Sequence, residues 1–208
     1  MVYKPANVPT TPGEKPDSLV EQVLVQFPEL SQVNGFKVGE GGLLYRLDTI
    51  TSGLVLFACN DQAFKSFIKA ADEGKIKKKY LAKVLGHMER AAGYIDWPIA
   101  HHPTKKSRMI VYKDAGQKKR GQWRDSITDY RVVKLIGGNT LLEIAITQGA
   151  RHQIRVHLAA IGNPLCGDPL YNPGSAGEEF LLECISVEWV GKDIFSLQEI
   201  LGDKKDAL

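Results

Sequence analysis

The chain has 208 residues, of which 43% are hydrophobic and 25% charged, with a formal net charge of +3. This composition is typical of a soluble globular protein and excludes disordered, collagenous and coiled-coil chains. No apolar run approaches the roughly 20 residues of a membrane helix, residues 1–16 lack the apolar stretch of a secretory signal, and the three cysteines have no ligand or disulfide spacing. We therefore predict a reduced, cytoplasmic protein without membrane contact, structural metal or disulfides.

The first part of the chain predicts two helices and one buried strand. Residues 1–16 contain four prolines and predict an extended segment. Ser18 precedes an amphipathic stretch and has a glutamate at capping-box spacing, which predicts a short helix. The apolar residues 54–59 predict a buried strand, and Asn60 or Asp61 can cap a second helix after it.

The second part is richer in strands. Periodicity and turn signals predict a strand at 79–85, a basic loop or hairpin at 101–124 with an extended piece at 109–112, a hairpin of 126–136 with 140–147, a helix at 152–161 and a strand at 181–189. Strands outnumber helices and do not alternate strictly with them. The pattern predicts an α+β fold, a single domain over residues 1–208 with a central mixed, mainly antiparallel sheet and flanking helices and loops.

The modest net charge is unevenly distributed. Residues 75–124 carry 14 lysines and arginines against three acidic residues, a net of +11, and the remaining residues carry a net of −8. A concentration of this kind is typical of a surface that binds a polyanion, although a solvated face is an equal alternative on charge alone.

Two segments concentrate side chains that are capable of chemistry. Residues 46–53 lie between a glycine-rich stretch and the buried strand, where Asp48 is either a turn former or a functional carboxylate. In residues 148–157, Arg151 and Arg155 fall one turn apart on the predicted helix. Two stacked arginines repel each other unless an anion is near, and a carboxylate or a phosphate is the natural one.

Five blocks of the sequence form an ordered set of motifs. The first four are Lys4-Pro5 with Ala6, Val8 and Pro9; residues 46–53; Lys79, Tyr80, Ala82, Val84 and Gly86; and Thr128 with Tyr130. The last is His152-Gln153-Ile154-Arg155 with His157, Gly162, Pro164, Gly167, Asp168 and Tyr171. In this order the blocks resemble the motifs of the RluA family of RNA pseudouridine synthases. One block alone is weak evidence, whereas five in the family's order are specific.

The resemblance implies a pseudouridine synthase-like fold with a catalytic cleft across the sheet. It assigns Asp48 as the essential carboxylate, Tyr80 as the active-site tyrosine whose ring can stack on the target base, and Arg155 as the cation that keeps Asp48 ionised. Arg46 is similar to the arginine that helps to push the target base out of its stack. The family breaks the bond from ribose to ring nitrogen 1 of a uridine, turns the base and rejoins it through ring carbon 5.

Other positions are expected to support the reaction. We expect Thr51, Ser52 and Gly53 to hold the Asp48 loop. The residues expected to contact RNA are Arg151, Gln153, Lys105, Lys106 and Arg108, the last three through phosphates. Gln153 can instead pack at the helix start, which is the role we expect for His152, and Trp123 can stack on a base or close a hairpin.

Three positions depart from the family's pattern. Tyr45 stands where histidine is usual, Ala150 where arginine or lysine is usual, and Glu183 where histidine is common. None of the three replaces a catalytic residue that the resemblance assigns, so the departures bear on substrate choice rather than on turnover.

The leading hypothesis is a monomeric, cofactor-free enzyme that converts specific uridines of structured RNA, ribosomal RNA or tRNA, to pseudouridine. The alternatives are an RNA-binding or chaperone protein that has lost turnover, and a hydrolytic glycosidase, which would need a second acid in a motif. We expect the catalytic domain to carry no separate N-terminal RNA-binding domain, and the basic residues 75–124 to border the Asp48 cleft.

Overall fold

A computed structural model describes residues 1–13, 17–175 and 177–196. Residues 14–16, the end of the predicted extended segment, lie outside this part. The described strands are β1 (Val2–Lys4), β2 (Ser52–Val55), β3 (Ile76–Val84), β4 (Ala92–Ile95), β5 (Ile99–His101), β6 (Met109–Val111), β7 (Arg120–Arg124), β8 (Thr128–Ile136), β9 (Asn139–Ile146), β10 (Leu182–Trp189) and β11 (Ile194–Ser196). The α-helices are α1 (Leu19–Gln26), α2 (Asp61–Asp72) and α3 (Gln153–Ala160), and short 3-10 helices cover Pro28–Gln32 and Pro173–Ser175.

The fold is α+β. Eight of the described strands belong to a mixed sheet and three form a separate antiparallel sheet. Antiparallel pairs predominate, and the pairing of β2 with β10 is parallel. The predicted fold class, with its mixed and mainly antiparallel sheet, is confirmed. None of the described helices is long and apolar enough to cross a membrane.

The chain divides into two compact units. The first comprises Met1–Lys78 and Glu183–Leu208, as far as they are described, and the second comprises Lys79–Leu182. The single catalytic domain over residues 1–208 therefore stays a prediction, and each unit is described by itself.

In the first unit, β2 pairs with β1 on one edge and with the start of β10 on the other. Lys4 of β1 lies opposite Gly53, and Cys184 of β10 lies beside the same glycine. The predicted strand at 54–59 is shorter than expected, since β2 ends at Val55 and the next residues pair only through single bridges such as Leu43 with Phe57.

Both helices of the first unit begin as the sequence predicts. The Ser18 hydroxyl accepts the Glu21 N–H, and the Glu21 carboxylate accepts the Ser18 N–H at 2.8 Å, which completes the capping box of α1. Asn60 caps α2 by accepting the Ala63 N–H at 2.8 Å. These local bonds satisfy amides that the first helical turn leaves without partners, which fixes both helix starts.

The second unit contains the predicted hairpin and a sheet that the sequence patterns do not predict. Strands β8 and β9 are joined at Gly137-Gly138, both with positive φ angles, as a two-residue turn requires. The sequence predicts a basic loop or hairpin at residues 101–124 with an extended piece at 109–112, and β6 confirms that piece. The segment also contains β7, and both strands pair with β5 in the order β6-β5-β7. Apolar residues on β5 and β6 form a small core with Val156 of α3, which holds this lysine-rich segment in a fixed place.

The helix at the end of the second unit starts later than predicted. It begins at Gln153, because His152 has a left-handed backbone (φ 54°) and Arg151 precedes the helix. The two arginines therefore do not stack one turn apart, and that expectation is wrong.

Candidate active site

The segment that contains Asp48 is held by backbone bonds in the first unit. The Thr10 hydroxyl donates to the Leu47 carbonyl at 2.7 Å and accepts the Leu47 N–H at 3.2 Å. The Thr51 N–H donates to the Asp48 carbonyl at 3.0 Å, which closes a tight turn after the carboxylate. The Thr51 hydroxyl is buried with no hydrogen-bond partner among the described residues, so Thr51 supports the loop through its backbone.

A buried lysine lies against the same turn. Lys4 is fully buried, and its ammonium donates to the carbonyls of Pro5 at 2.9 Å, Val8 at 2.7 Å and Thr49 at 3.1 Å. Burial lowers the pKa of Lys4 to about 8, and the charge of Asp48 acts in the opposite direction. Lys4 is not among the site residues predicted from the sequence, although its Lys-Pro motif is a signal that could have indicated it.

Gly53 allows β2 to lie against β10. Its φ angle is +118°, and a Cβ at this position would overlap the backbone nitrogen and oxygen of Cys184. No other residue satisfies both conditions, because a side chain meets strain from the φ angle and a clash with backbone that cannot give way. The expected supporting role of Gly53 thus has a specific physical cause.

Two departures from the family's pattern are built into the packing of the first unit. The Glu183 carboxylate accepts the Tyr3 hydroxyl at 2.7 Å and the Ser52 hydroxyl at 3.4 Å. The Tyr45 hydroxyl donates to the Leu54 carbonyl at 2.9 Å, and the Tyr45 ring stacks on that of Phe67, with 6.4 Å between the two ring centroids. Both residues therefore hold β2 and its surroundings in place.

In the second unit, Tyr80 and Arg155 are both buried, with 5% of each exposed. Tyr80 belongs to the inward set of β3, whose residues alternate between buried and half-buried. The Arg155 guanidinium binds the Asp168 carboxylate through two bonds, Nε to Oδ2 at 2.8 Å and Nη2 to Oδ1 at 2.9 Å. Burial acts to raise the pKa of Asp168, but the bonds and charge of Arg155 hold that pKa below its ordinary value.

Residues expected to bind RNA differ in their exposure. Lys105, Lys106 and Arg151 are exposed, and Arg151 donates to the Lys106 carbonyl at 3.5 Å. Gln153 is buried, and its amide group donates to the Ile127 carbonyl at 2.9 Å and accepts the Ala150 N–H at 2.9 Å. These bonds match the packing alternative for Gln153.

His152 and Arg108 both lie against Tyr171. The His152 Nδ1 atom is 3.0 Å from the Tyr171 hydroxyl oxygen, which accords with the expected packing role of the histidine. The Arg108 guanidinium lies 5.3 Å from the centroid of the Tyr171 ring. Among the described residues, no group of three or more histidines, cysteines and acids is placed to hold a metal ion.

Comparison with known proteins decides the family. A sequence model described as RNA pseudouridylate synthase matches residues 1–160. The chain belongs to the RNA pseudouridylate synthase family. The resemblance to RluA-type synthases is confirmed as well, since "Ribosomal large subunit pseudouridine synthase D" of Nitrosomonas europaea is 36% identical over 173 residues, which are 82% of this chain and 46% of the relative.

Other members of the family extend the comparison. An "Uncharacterized RNA pseudouridine synthase" of Chloroflexus aurantiacus is 36% identical over 83% of this chain and 49% of its own length. "Ribosomal large subunit pseudouridine synthase D" of Escherichia coli K12 is 32% identical over 87% of this chain and 53% of its own length. The chain thus spans about half the length of these relatives.

The fold of the family is also found in solved structures. "Human RNA Pseudouridylate Synthase Domain Containing 1" superimposes with a TM-score of 0.70 at 23% identity, covering 93% of this chain and 76% of the human one. The catalytic assignments of Asp48, Tyr80 and Arg155 stay predictions of the resemblance.

We predict that Gly53→Ala destabilises the protein by about 3 kcal/mol or more, because strain and backbone overlap add. Gly74→Ala is the matched control: Gly74 also has a positive φ (+69°), but no atom lies within 4 Å of its added Cβ. We expect this control to cost only about 1 kcal/mol. Urea unfolding followed by tryptophan fluorescence measures both, and equal losses would contradict the close-approach argument.

We predict that Lys4→Met lowers the free energy of unfolding by about 1–3 kcal/mol, because three buried carbonyls lose their donor. Lys37→Met, at an exposed lysine, is the control and should be neutral. Between about pH 8 and the ordinary value of 10.5, the unfolded state binds the proton that native Lys4 releases. The stability of the wild type relative to Lys4→Met should therefore rise with pH over this window, and a flat or falling difference would refute the assignment.

Proposed function

We propose that the chain is an RNA pseudouridine synthase that isomerises uridine in structured RNA without a cofactor. The observation that carries the proposal is the family match over residues 1–160, a range that contains Asp48, Tyr80 and Arg155, the three residues that the motif resemblance assigns as catalytic. We also propose that residues 1–208 act as one monomeric catalytic domain in the cytoplasm.

The reaction balances without a redox or energy source. The bond from ribose carbon 1′ to ring nitrogen 1 breaks, the base turns, and carbon 1′ bonds to ring carbon 5. Carbon 5 releases its proton and nitrogen 1 takes one up. A positioned carboxylate can act as the nucleophile or as the base that accepts the carbon 5 proton.

In the proposed mechanism Asp48 is that carboxylate. A cation beside a carboxylate favours its charged, reactive form. Lys4 supplies one such charge in the first unit, where its ammonium binds the carbonyl of Thr49, the residue after Asp48. Arg155 is the cation that the family resemblance assigns, and its side chain is held by Asp168 in the second unit.

Tyr80 and Arg46 are the residues that we propose to stack, respectively, on the target base and in the place that this base leaves. We propose that the ring of Tyr80 stacks on the uracil, and a phenol hydroxyl can donate to or accept from the uracil edge. The guanidinium of Arg46 replaces the stacking that the flipped uridine leaves behind, which lowers the cost of base flipping.

The sheet of β5, β6 and β7, with the lysine-rich loops between its strands, is the surface that we propose to bind the RNA backbone. Its segment at residues 98–124 carries eight lysines and arginines against the single acid Asp114. Lys105, Lys106 and Arg108 are the residues that we propose to neutralise phosphates. We propose ribosomal RNA as the substrate, since two of the relatives are named as synthases of the ribosomal large subunit, and tRNA is the alternative.

We predict that Asp48→Asn abolishes release of tritium from carbon 5 of labelled uridine in ribosomal RNA while leaving RNA affinity within about twofold. The amide keeps the size of the side chain but can act neither as nucleophile nor as base. Asp72→Asn, on the exposed side of α2, is the matched control and should keep full activity. Release from tRNA but not from ribosomal RNA would reassign the substrate.

A wild-type protein that binds RNA but releases no tritium from any cellular RNA would favour the RNA-binding alternative. Free uracil as a product would instead indicate hydrolysis. Both outcomes are read from the same reaction, with thin-layer separation of its products.

We predict that the double variant Lys105→Gln, Lys106→Gln weakens RNA binding and reduces the slope of log affinity against log salt by up to about 2, because each phosphate contact contributes about 0.7–0.9. The control is Lys37→Gln with Lys65→Gln, two exposed lysines of the first unit. Filter binding at several salt concentrations measures both slopes. An equal change of slope in the two double variants would contradict the proposed role of Lys105 and Lys106 in phosphate binding.

A further inference from the structure

A buried ion pair fixes the guanidinium of Arg155 in one orientation. Six per cent of the Arg155 side chain and none of the Asp168 side chain is exposed. Asp168 engages Nε and Nη2, which lie along one edge of the planar guanidinium. Two parallel bonds on one edge prevent rotation of the group and set the direction in which its other three N–H donors point.

Asp168 is itself held in a tight turn. Its Oδ1 atom also accepts the N–H groups of Leu170 at 2.8 Å and Tyr171 at 3.1 Å, and its backbone carbonyl accepts the Asn172 N–H at 2.9 Å. The carboxylate therefore cannot swing away from Arg155 without the loss of backbone bonds. The turn that follows α3 in the sequence thus supplies a rigid anion to a residue of that helix.

Tyr171 extends this arrangement to the sheet of β5, β6 and β7. Its ring centroid lies 5.3 Å from the guanidinium carbon of Arg155 and 5.3 Å from that of Arg108. Its hydroxyl oxygen accepts the Met109 N–H, at the start of β6, at 2.8 Å. One side chain thus contacts both the predicted catalytic arginine and the strand that follows the predicted phosphate-binding residues.

Fold stability alone does not account for a charged pair at this place. Replacing a buried ion pair by well-packed apolar residues is often neutral or stabilising, so such a pair is weak evidence for a stabilising role. Orientation of a guanidinium that acts on a third group, in contrast, requires charge and bidentate geometry.

We propose that Asp168 and Tyr171 are positioning residues for Arg155. Asp168 fixes the rotation of the guanidinium, and Tyr171 joins that guanidinium to Arg108 and β6, so that RNA held at Lys105–Arg108 and the catalytic arginine share one rigid support. The inference rests on the proposed function of Arg155 and goes beyond it, because neither Asp168 nor Tyr171 is asked to touch the substrate.

The test compares Asp168→Asn with wild type in the full chain, using tritium release for kcat and filter binding for RNA affinity. Asparagine keeps the shape but loses the charge and one acceptor oxygen. We expect kcat to fall about 100-fold, as for a misplaced catalytic group, with RNA affinity within about twofold. Glu143→Gln is the matched control, since it removes an exposed arginine–carboxylate pair of the same unit, with Arg131 at 3.2 Å.

A second variant keeps the inference testable if Asp168→Asn does not fold, as judged by circular dichroism. Tyr171→Phe deletes only the hydroxyl, which contacts the Met109 N–H and His152 Nδ1, and keeps the ring beside both guanidinium groups. We expect kcat to fall about tenfold at unchanged affinity, because a second contact behind the arginine is lost. Tyr171→Leu also removes the ring and should reduce kcat further.

The failures of the two proposals are distinguishable. An active wild type with an inactive Asp48→Asn, together with kcat in folded Asp168→Asn and Tyr171→Phe no lower than in Glu143→Gln, would overturn the positioning role alone. Equal losses of kcat and affinity in Asp168→Asn would also overturn it. A wild type without turnover on any RNA would overturn the proposed function and this inference together.

Discussion

The ion pair of Arg155 and Asp168 is the constraint around which the second unit is arranged. Taking both charges out of water is costly, and the cost is offset only when the geometry is close to ideal and each remaining polar atom has a partner. The two parallel bonds and the backbone N–H groups of Leu170 and Tyr171 satisfy both oxygens of the Asp168 carboxylate. The position of α3 relative to the turn at 165–172 follows from these bonds, as does the placement of Tyr171 beside β6.

The first unit also holds a buried cation, next to the segment that contains Asp48, but different groups bind this cation. Lys4 buries an ammonium against three carbonyls, whereas Arg155 buries a guanidinium against a carboxylate. Carbonyls carry no formal charge, so burial lowers the pKa of Lys4, while the Arg155 charge lowers that of Asp168. Each unit thus holds one cation rigidly at a segment that the family resemblance marks as functional.

Local signals in the sequence predict the elements whose ends they determine. Side chains at Ser18 and Asn60 accept backbone N–H groups at the starts of α1 and α2, so these helix starts follow from the sequence. The turn between β8 and β9 also follows from it, because the glycines at 137–138 allow positive φ angles. The pairing of β5, β6 and β7 does not follow from the sequence, because strands of three to five residues are too short to show a period and their core is completed by Val156 of a distant helix. The late start of α3 also escapes prediction, since no residue type in the sequence marks His152 as the position with a left-handed backbone.

The residues of the candidate site also fall into two groups: those that a sequence motif indicates and those whose role depends on a distant partner. Motif resemblance alone assigns Asp48, Tyr80 and Arg155, whereas Asp168 and Lys4 gain their importance from partners 13 and 45 residues away.

The departures from the family's pattern also depend on the residues that contact them. Glu183 can replace the usual histidine because Tyr3 and Ser52 donate to it, and Ala150 can replace a basic residue because its backbone N–H, not its side chain, binds Gln153. The charge missing at position 150 is present one residue later, at the exposed Arg151, whose guanidinium reaches the Lys106 carbonyl. Substitutions of this kind leave the hydrogen bonds that hold Lys4 and Arg155 intact, because neither Glu183 nor the Ala150 side chain takes part in those bonds.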